Sequence, residues 1–251
     1  MLSRLLASLV RRPAPAQDPA EPPRAPPRAD LSDIPDAWLY RPLYSPWAGD
    51  PDFAGYHALA EPRTLVGPDR CYVLYILARQ ALATLDGEVW ECGVYKGGTA
   101  AMLARLVADG GRGHALRLFD TFAGMPATDA VRDLHLAGDF ADTSLESVRA
   151  YVGVHENLHF HAGFIPASFA GLDGARIALA HIDVDIYRSV HDCLDFIWPR
   201  LQVGGFCVLD DYGFPTCPGA RAAADEFFAG KPAVPLCLPT GQALVFKGSS
   251  A

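Results

Sequence analysis

The sequence has no CxxC pair, no apolar run near the ~20 residues of a membrane-spanning helix, and no excess of basic residues. Each absence removes a class of protein. The six cysteines, at positions 71, 92, 193, 207, 217 and 237, lack the spacing of a zinc cluster or a thioredoxin-type motif. Cys92 and Cys207 lie inside apolar, strand-like runs, so reduced thiols in a cytoplasmic protein are expected rather than disulfides. Lys and Arg number 21 against 29 Asp and Glu, a net charge of −8 over 251 residues. That balance leaves no basic footprint for nonspecific nucleic-acid binding.

Glycine is absent from the first 30 residues, which hold seven of the 21 prolines. Residues 1–35 are expected to form a disordered, Pro-rich tail, and 36–251 the folded domain. The opening MLSRLLASLV could place Leu2, Leu5, Leu6 and Leu9 on one helical face as a membrane or partner anchor. A frayed terminus is the better expectation, because ten residues rarely hold a helix alone. Arg4 and Ser8 interrupt the apolar stretch, which argues against a secretory signal.

What is present is an alternation of strand and helix signals. The aromatic, Pro-punctuated segment 38–59 is expected to be irregular and packed on the domain. Helices are predicted over 69–85, 98–110, 143–154, 187–201 and 219–230. Strands are predicted over 88–94, 115–120, 158–163, 177–185 and 204–211, followed by a closing hairpin. Continuous apolar strands between amphipathic helices predict a parallel sheet covered on both faces.

Ligands bind such sheets at the carboxyl ends of the strands. The first strand runs into ECGVYKGGTA, a Gly-rich turn that lets a ligand approach a helix N-terminus. Its spacing is not GxGxxG, so no dinucleotide fingerprint is matched. The second strand ends at Asp120, placed either to accept ribose hydrogen bonds or to cap its own loop. The fourth ends in Asp183-Val184-Asp185 and the fifth in Asp210-Asp211. Carboxylates clustered at the ends of neighbouring buried strands repel and lose hydration unless a cation lies between them. Mg²⁺ held by Asp183, Asp210 and Asp211 resolves that cost, whereas Asp185 could equally cap the following helix. His181 reads as a hydrogen-bonded core residue. His57, His135, His159, His161 and His191 show no ligand spacing.

The motifs ECGVYKGG, DTFAGMP, DFADTSLESVR, HIDVDIYRS, WPRLQVGGFCVLDDYG and GARAAADEF occur in order. Together, over about residues 60–247, they resemble the macrocin O-methyltransferase family (TylF/MycF type). The resemblance implies an α/β fold: the Rossmann-like, seven-stranded class I methyltransferase sheet with helices on both faces. It implies S-adenosylmethionine (SAM) as co-substrate and Mg²⁺ as cofactor, for methylation of hydroxyls on natural-product sugars. Glu91, Gly93, Tyr95 and Thr99 match the positions holding the methionine part of SAM, and Asp120 the ribose acid. Ser144, within Asp142-Thr143-Ser144, and Phe164, within 163–165, match the adenine side. Thr64 lies in a segment like the family's N-terminal closing segment. Asp183, Asp210 and Asp211 match the metal ligands, with Asp183 also the candidate base. Arg188 departs from the family's usual acid or amide.

The expected partner is a small-molecule acceptor with adjacent hydroxyls, with no nucleic acid or membrane contact, and a homo-oligomer is compatible with it. A nicotinamide-dependent oxidoreductase and a noncatalytic nucleoside-binding module stand as rivals. The first gives the Asp210-Asp211 pair no role.

Overall fold

The structure, a computed structural model, describes residues 45–249. The expected Pro-rich tail, the MLSRLLASLV helix and the aromatics Trp38, Tyr40 and Tyr44 lie outside the described residues.

The segment expected to be irregular contains a helix, α1 (Pro51–Ala60). Its start is chemically marked. The Asp50 carboxylate accepts a hydrogen bond from the Phe53 amide at 2.9 Å, and Pro51 fills the first turn, where no donor is needed. Its apolar residues do not repeat at helical spacing, so periodicity could not reveal it. Phe53 is buried edge-on against Tyr72 of α2 (Pro68–Thr84), with Tyr75 beside it.

From there the chain alternates as predicted: β1 (Glu88–Cys92), α3 (Gly98–Gly110), β2 (Leu116–Asp120), α4 (Leu145–Val152), β3 (Leu158–Ala162) and β4 (Ile177–Ile182). α5 (Tyr187–Arg200), β5 (Leu201–Leu209) and α6 (Pro218–Phe228) follow, and β6 (Leu236–Cys237) and β7 (Ala243–Phe246) form the closing hairpin. The strands make one seven-stranded sheet in the order β3-β2-β1-β4-β5-β7-β6. β1 to β5 pair in parallel, and β7 runs antiparallel to β5.

Strand alternation divides the core into two layers. Val89, Leu116 and Leu118 face α1–α4, whereas Trp90, Cys92, Phe119 and Ile182 face α5 and α6. Both layers are apolar, which is why the strands read as near-continuous hydrophobic runs. No helix of the described residues is long and apolar enough to cross a membrane. The reversal of strand order falls between β1 and β4, and the carboxyl ends of those strands face the cavity described next.

Candidate active site

The β1–α3 turn is shaped by two close approaches. Gly93 has φ +88°, and a side chain there would sit 1.7 Å from the Asp183 carbonyl oxygen. The end of β1 and the residue after β4 therefore touch through backbone alone. At Gly98, a Cβ would lie 2.6 Å from both the Ala60 carbonyl oxygen and the Thr64 amide nitrogen. This bare position lets the segment after α1 seat on the start of α3, which brings Thr64 to the cavity.

Thr64, Gly93, Tyr95, Thr99, Asp120, Phe164, Asp183 and Asp211 all line one cavity of about 330 Å³. That volume falls within the range of small-molecule sites. Glu91, Ser144 and Asp210 do not line it. Ser144 is the N-cap of α4, where its hydroxyl accepts from the Ser147 amide at 3.1 Å. The neighbouring Asp142 accepts from the Tyr95 hydroxyl at 2.8 Å and pairs with Lys96, tying the loop before α4 to the Gly-rich turn.

Asp120 carries a structural duty. Its Oδ2 accepts from the amides of Val94 at 2.7 Å and Tyr95 at 2.8 Å, and its Oδ1 from Phe122 at 2.7 Å. A carboxylate has about four lone-pair directions, so most are used within the protein. These bonds also fix both oxygens in place at the cavity wall.

Behind the cavity a chain of charges crosses the sheet. His181 pairs in register with Glu91. Its Nδ1 lies 3.1 Å from Glu91 Oε1, and its Nε2 lies 3.4 Å from Asp210 Oδ1. Asp210 also accepts from Gln242 at 2.7 Å and pairs with Arg70 from the first turn of α2. Burial alone would lower the His181 pKa, but bonding to Asp210 and Glu91 and the charge of Asp183 hold it well above the usual range. His181 thus sits between two carboxylates that favour its protonated form, a core residue as the sequence suggested. Burial pushes Asp210 up, yet the His181 bond and the charges of His181 and Arg70 bring it below the usual carboxylate range. Glu91 Oε2 is buried with no hydrogen-bond partner of its own.

Asp183 and Asp211 are in the opposite state. Burial, reinforced by neighbouring carboxylates, raises both well above the usual range. Carboxylate oxygens of Asp183, Asp185 and Asp211 lie within 4.8 Å of one another, and so do donor atoms of Asp183, Asp210 and His181. An uncompensated, all-oxygen cluster of this kind suits a hard divalent cation.

This state has a pH signature. Carboxyls raised in the fold contribute stability that is complete below the unfolded value near 3.9 and is lost as pH rises through the folded value. His181 acts in the same sense, its contribution being complete below about 6.5. Asp210 has the opposite sign, but only in acid. The melting temperature of metal-free protein should therefore fall as pH rises above about 6.5, and saturating Mg²⁺ should flatten the carboxylate part of that fall. A metal-free melting temperature that rises over this range would contradict the assignment.

Sequence reasoning did not single out Arg70, Gln242, His135 or Cys217. Arg70 and Asp210 lie 140 residues apart, and Gln242 and Asp210 lie 32 apart. No local spacing relates them, and only the strand order joins them. Arg188 is bonded to Asp192 one helical turn away and is largely exposed.

The fold is that of the class I SAM-dependent methyltransferases. Solved structures of this fold include the O-methyltransferase NovP, with a TM-score of 0.67 and 22% identity over 74% of this chain and 82% of that one. The calicheamicin methyltransferase CalS11 gives a TM-score of 0.61 and 21% identity over 88% of this chain and all of that one. Residues 58–232 match the macrocin O-methyltransferase (TylF) family, and the chain belongs to it.

A 4'-O-methyltransferase of Streptomyces olivaceus acting on a rhamnosyl-tetracenomycin is 32% identical over 68% of this chain and 70% of its own. The mycinamicin III 3''-O-methyltransferase of Micromonospora griseorubida is 31% identical over 65% of this chain and 69% of its own. The protein is therefore a SAM-dependent O-methyltransferase, which removes the oxidoreductase and noncatalytic readings.

Proposed function

We propose that the enzyme methylates a hydroxyl of a small-molecule glycoside, using Mg²⁺ held by Asp183, Asp210 and Asp211. The observation that carries this reading is a single cavity lined by both the Gly-rich turn and the carboxylates Asp183 and Asp211. The sugar O-methyltransferases among its relatives support the choice of acceptor.

The chain's residues divide the work. Thr64, Gly93, Tyr95 and Thr99, with Glu91 behind them, hold the methionine part of SAM. Asp120 receives the ribose, and Phe164 flanks the adenine. The acceptor oxygen forms its bond to the methyl carbon as the carbon–sulfur bond breaks, and that electron pair stays on sulfur in S-adenosylhomocysteine. Asp183 takes the hydroxyl proton. Mg²⁺, when bound, supplies a Lewis acid that acidifies one acceptor hydroxyl and fixes the direction of a vicinal pair. Recruiting Asp210 as a ligand requires the Arg70 guanidinium to leave it.

The reading is tested by presenting SAM and Mg²⁺ with glycosides bearing free vicinal hydroxyls and, in parallel, with catechols. Methylated glycoside should form, at a position lost when either adjacent hydroxyl is blocked. Turnover confined to catechols would overturn the sugar assignment.

The cofactor side is tested by Asp120→Ala. Charge-assisted bonds to ribose are worth about 1.5–3 kcal/mol, so calorimetry should show SAM binding weakened roughly 10- to 150-fold. The lost Val94, Tyr95 and Phe122 bonds should lower the melting temperature as well. Unchanged SAM affinity in the folded variant would remove Asp120 from the site.

A further inference from the structure

A second cluster, of different chemistry, stands on the β4–β5 side of the same cavity. It joins His135 from the loop after β2, Asp185 after β4, and Cys217 immediately before α6. Cys217 Sγ lies 3.6 Å from Asp185 Oδ1 and 3.7 Å from His135 Nε2. That nitrogen lies 3.8 Å from Asp185 Oδ1. A tetrahedral ion with bonds of about 2.0–2.3 Å to nitrogen, oxygen and sulfur sets donor–donor edges of about 3.3–3.6 Å. The three side chains are thus within about half an ångström of one face of such a tetrahedron, the sulfur edges fitting best.

The other nitrogen of His135 gives an independent indication. Nδ1 lies 3.2 Å from Asp139 Oδ2, and the Leu136 amide donates to that same oxygen at 3.0 Å. A fixed carboxylate behind a histidine sets its tautomer and aims the remaining nitrogen at a metal. His135, Asp185 and Cys217 all line the cavity, and the side chains of His135 and Asp185 are 21% and 19% exposed. A fourth position on the same ion would face the cavity.

We infer that His135, Asp185 and Cys217 form a binding site for a thiophilic divalent cation of the zinc class, adjoining the Mg²⁺ site proposed on Asp183, Asp210 and Asp211, with Asp185 serving this ion rather than the oxygen-only cluster. A nitrogen, oxygen and sulfur donor set selects zinc over magnesium. On binding, the Cys217 thiol releases its proton to solvent and coordinates as thiolate. An ion there fills the side of the cavity away from the Gly-rich turn, so it competes with the acceptor rather than with SAM.

The test is titration of the full-length protein with Co²⁺ in excess Mg²⁺, which keeps the oxygen-only site filled. Co²⁺ should produce a thiolate-to-cobalt charge-transfer band together with intense visible bands of a tetrahedral site. Zn²⁺ should bleach both stoichiometrically. Cys217→Ser should abolish the charge-transfer band, and Cys237→Ser, at the exposed cysteine, should keep it. Asp139→Asn, which leaves all three ligands in place, should weaken Co²⁺ binding about 10- to 100-fold. Absence of the band in the parent, its persistence in Cys217→Ser, or unchanged affinity in Asp139→Asn would each overturn the proposal.

Discussion

Asp183→Asn is expected to lower kcat by about 10²- to 10⁴-fold, the range contributed by a positioned general base. Added Mg²⁺ should not restore it, because the substitution removes both a ligand charge and the proton acceptor. SAM affinity should hold, since the residues proposed to bind the cofactor lie at the ends of β1 and β2. The backbone at this position is independently secured: the Asp183 amide donates to the Cys92 carbonyl at 2.8 Å. The loss should therefore be chemical and not a failure to fold. Asp211→Asn makes the contrast. It keeps an oxygen ligand, and activity should return at high Mg²⁺. Each substitution relieves repulsion among buried carboxylates, so each should raise the melting temperature of the metal-free protein. A metal-free Asp211→Asn protein less stable than its parent would make Asp211 a structural acceptor for the Asp185 amide, which it contacts at 3.0 Å. An Asp183→Asn enzyme within a few-fold of parental kcat would move the base elsewhere.

The second large effect concerns stability. His181 is fully buried between Glu91 and Asp210, themselves fully buried. Replacing it with Leu leaves two carboxylates without their shared cation, and only Asp210 retains another, Arg70. Breaking a buried charge pair from one side costs about 3–5 kcal/mol. In a domain of this size each kcal/mol moves the melting temperature about 2–4 °C, so thermal denaturation should show a fall of roughly 6–20 °C. The deficit should narrow on acidification, as the stranded carboxyls take up protons. A variant melting within a degree or two of the parent would mean that the imidazole carries no charge in the native state.

Legibility in the sequence followed the range of the interactions. The parallel strands and their helices were readable because burial on both faces leaves a continuous apolar signature, as in residues 177–182. The acidic strand ends were readable because Asp183, Asp210 and Asp211 are anomalous beside such runs. α1 was not readable, since its start is set by the Asp50 cap and its packing by Phe53, and neither leaves a periodic trace. The partners of the acids were hidden for a different reason. His135 and Cys217 are 82 residues apart, and Arg70 and Asp210 are 140 apart. Their meeting depends on the strand order, which spacing in the chain does not encode. Asp120 lies between these cases: its position at a strand end was plain, but its three amide bonds emerged only with the neighbouring loop in place.

The most direct measurement is methyl transfer to a glycoside acceptor after chelation and dialysis, with SAM binding followed in the same preparation. The account predicts that turnover is lost, that SAM affinity is nearly unchanged, and that Mg²⁺ restores the rate. Full activity in the chelated, metal-free enzyme would contradict it and leave the buried carboxylates without their cation.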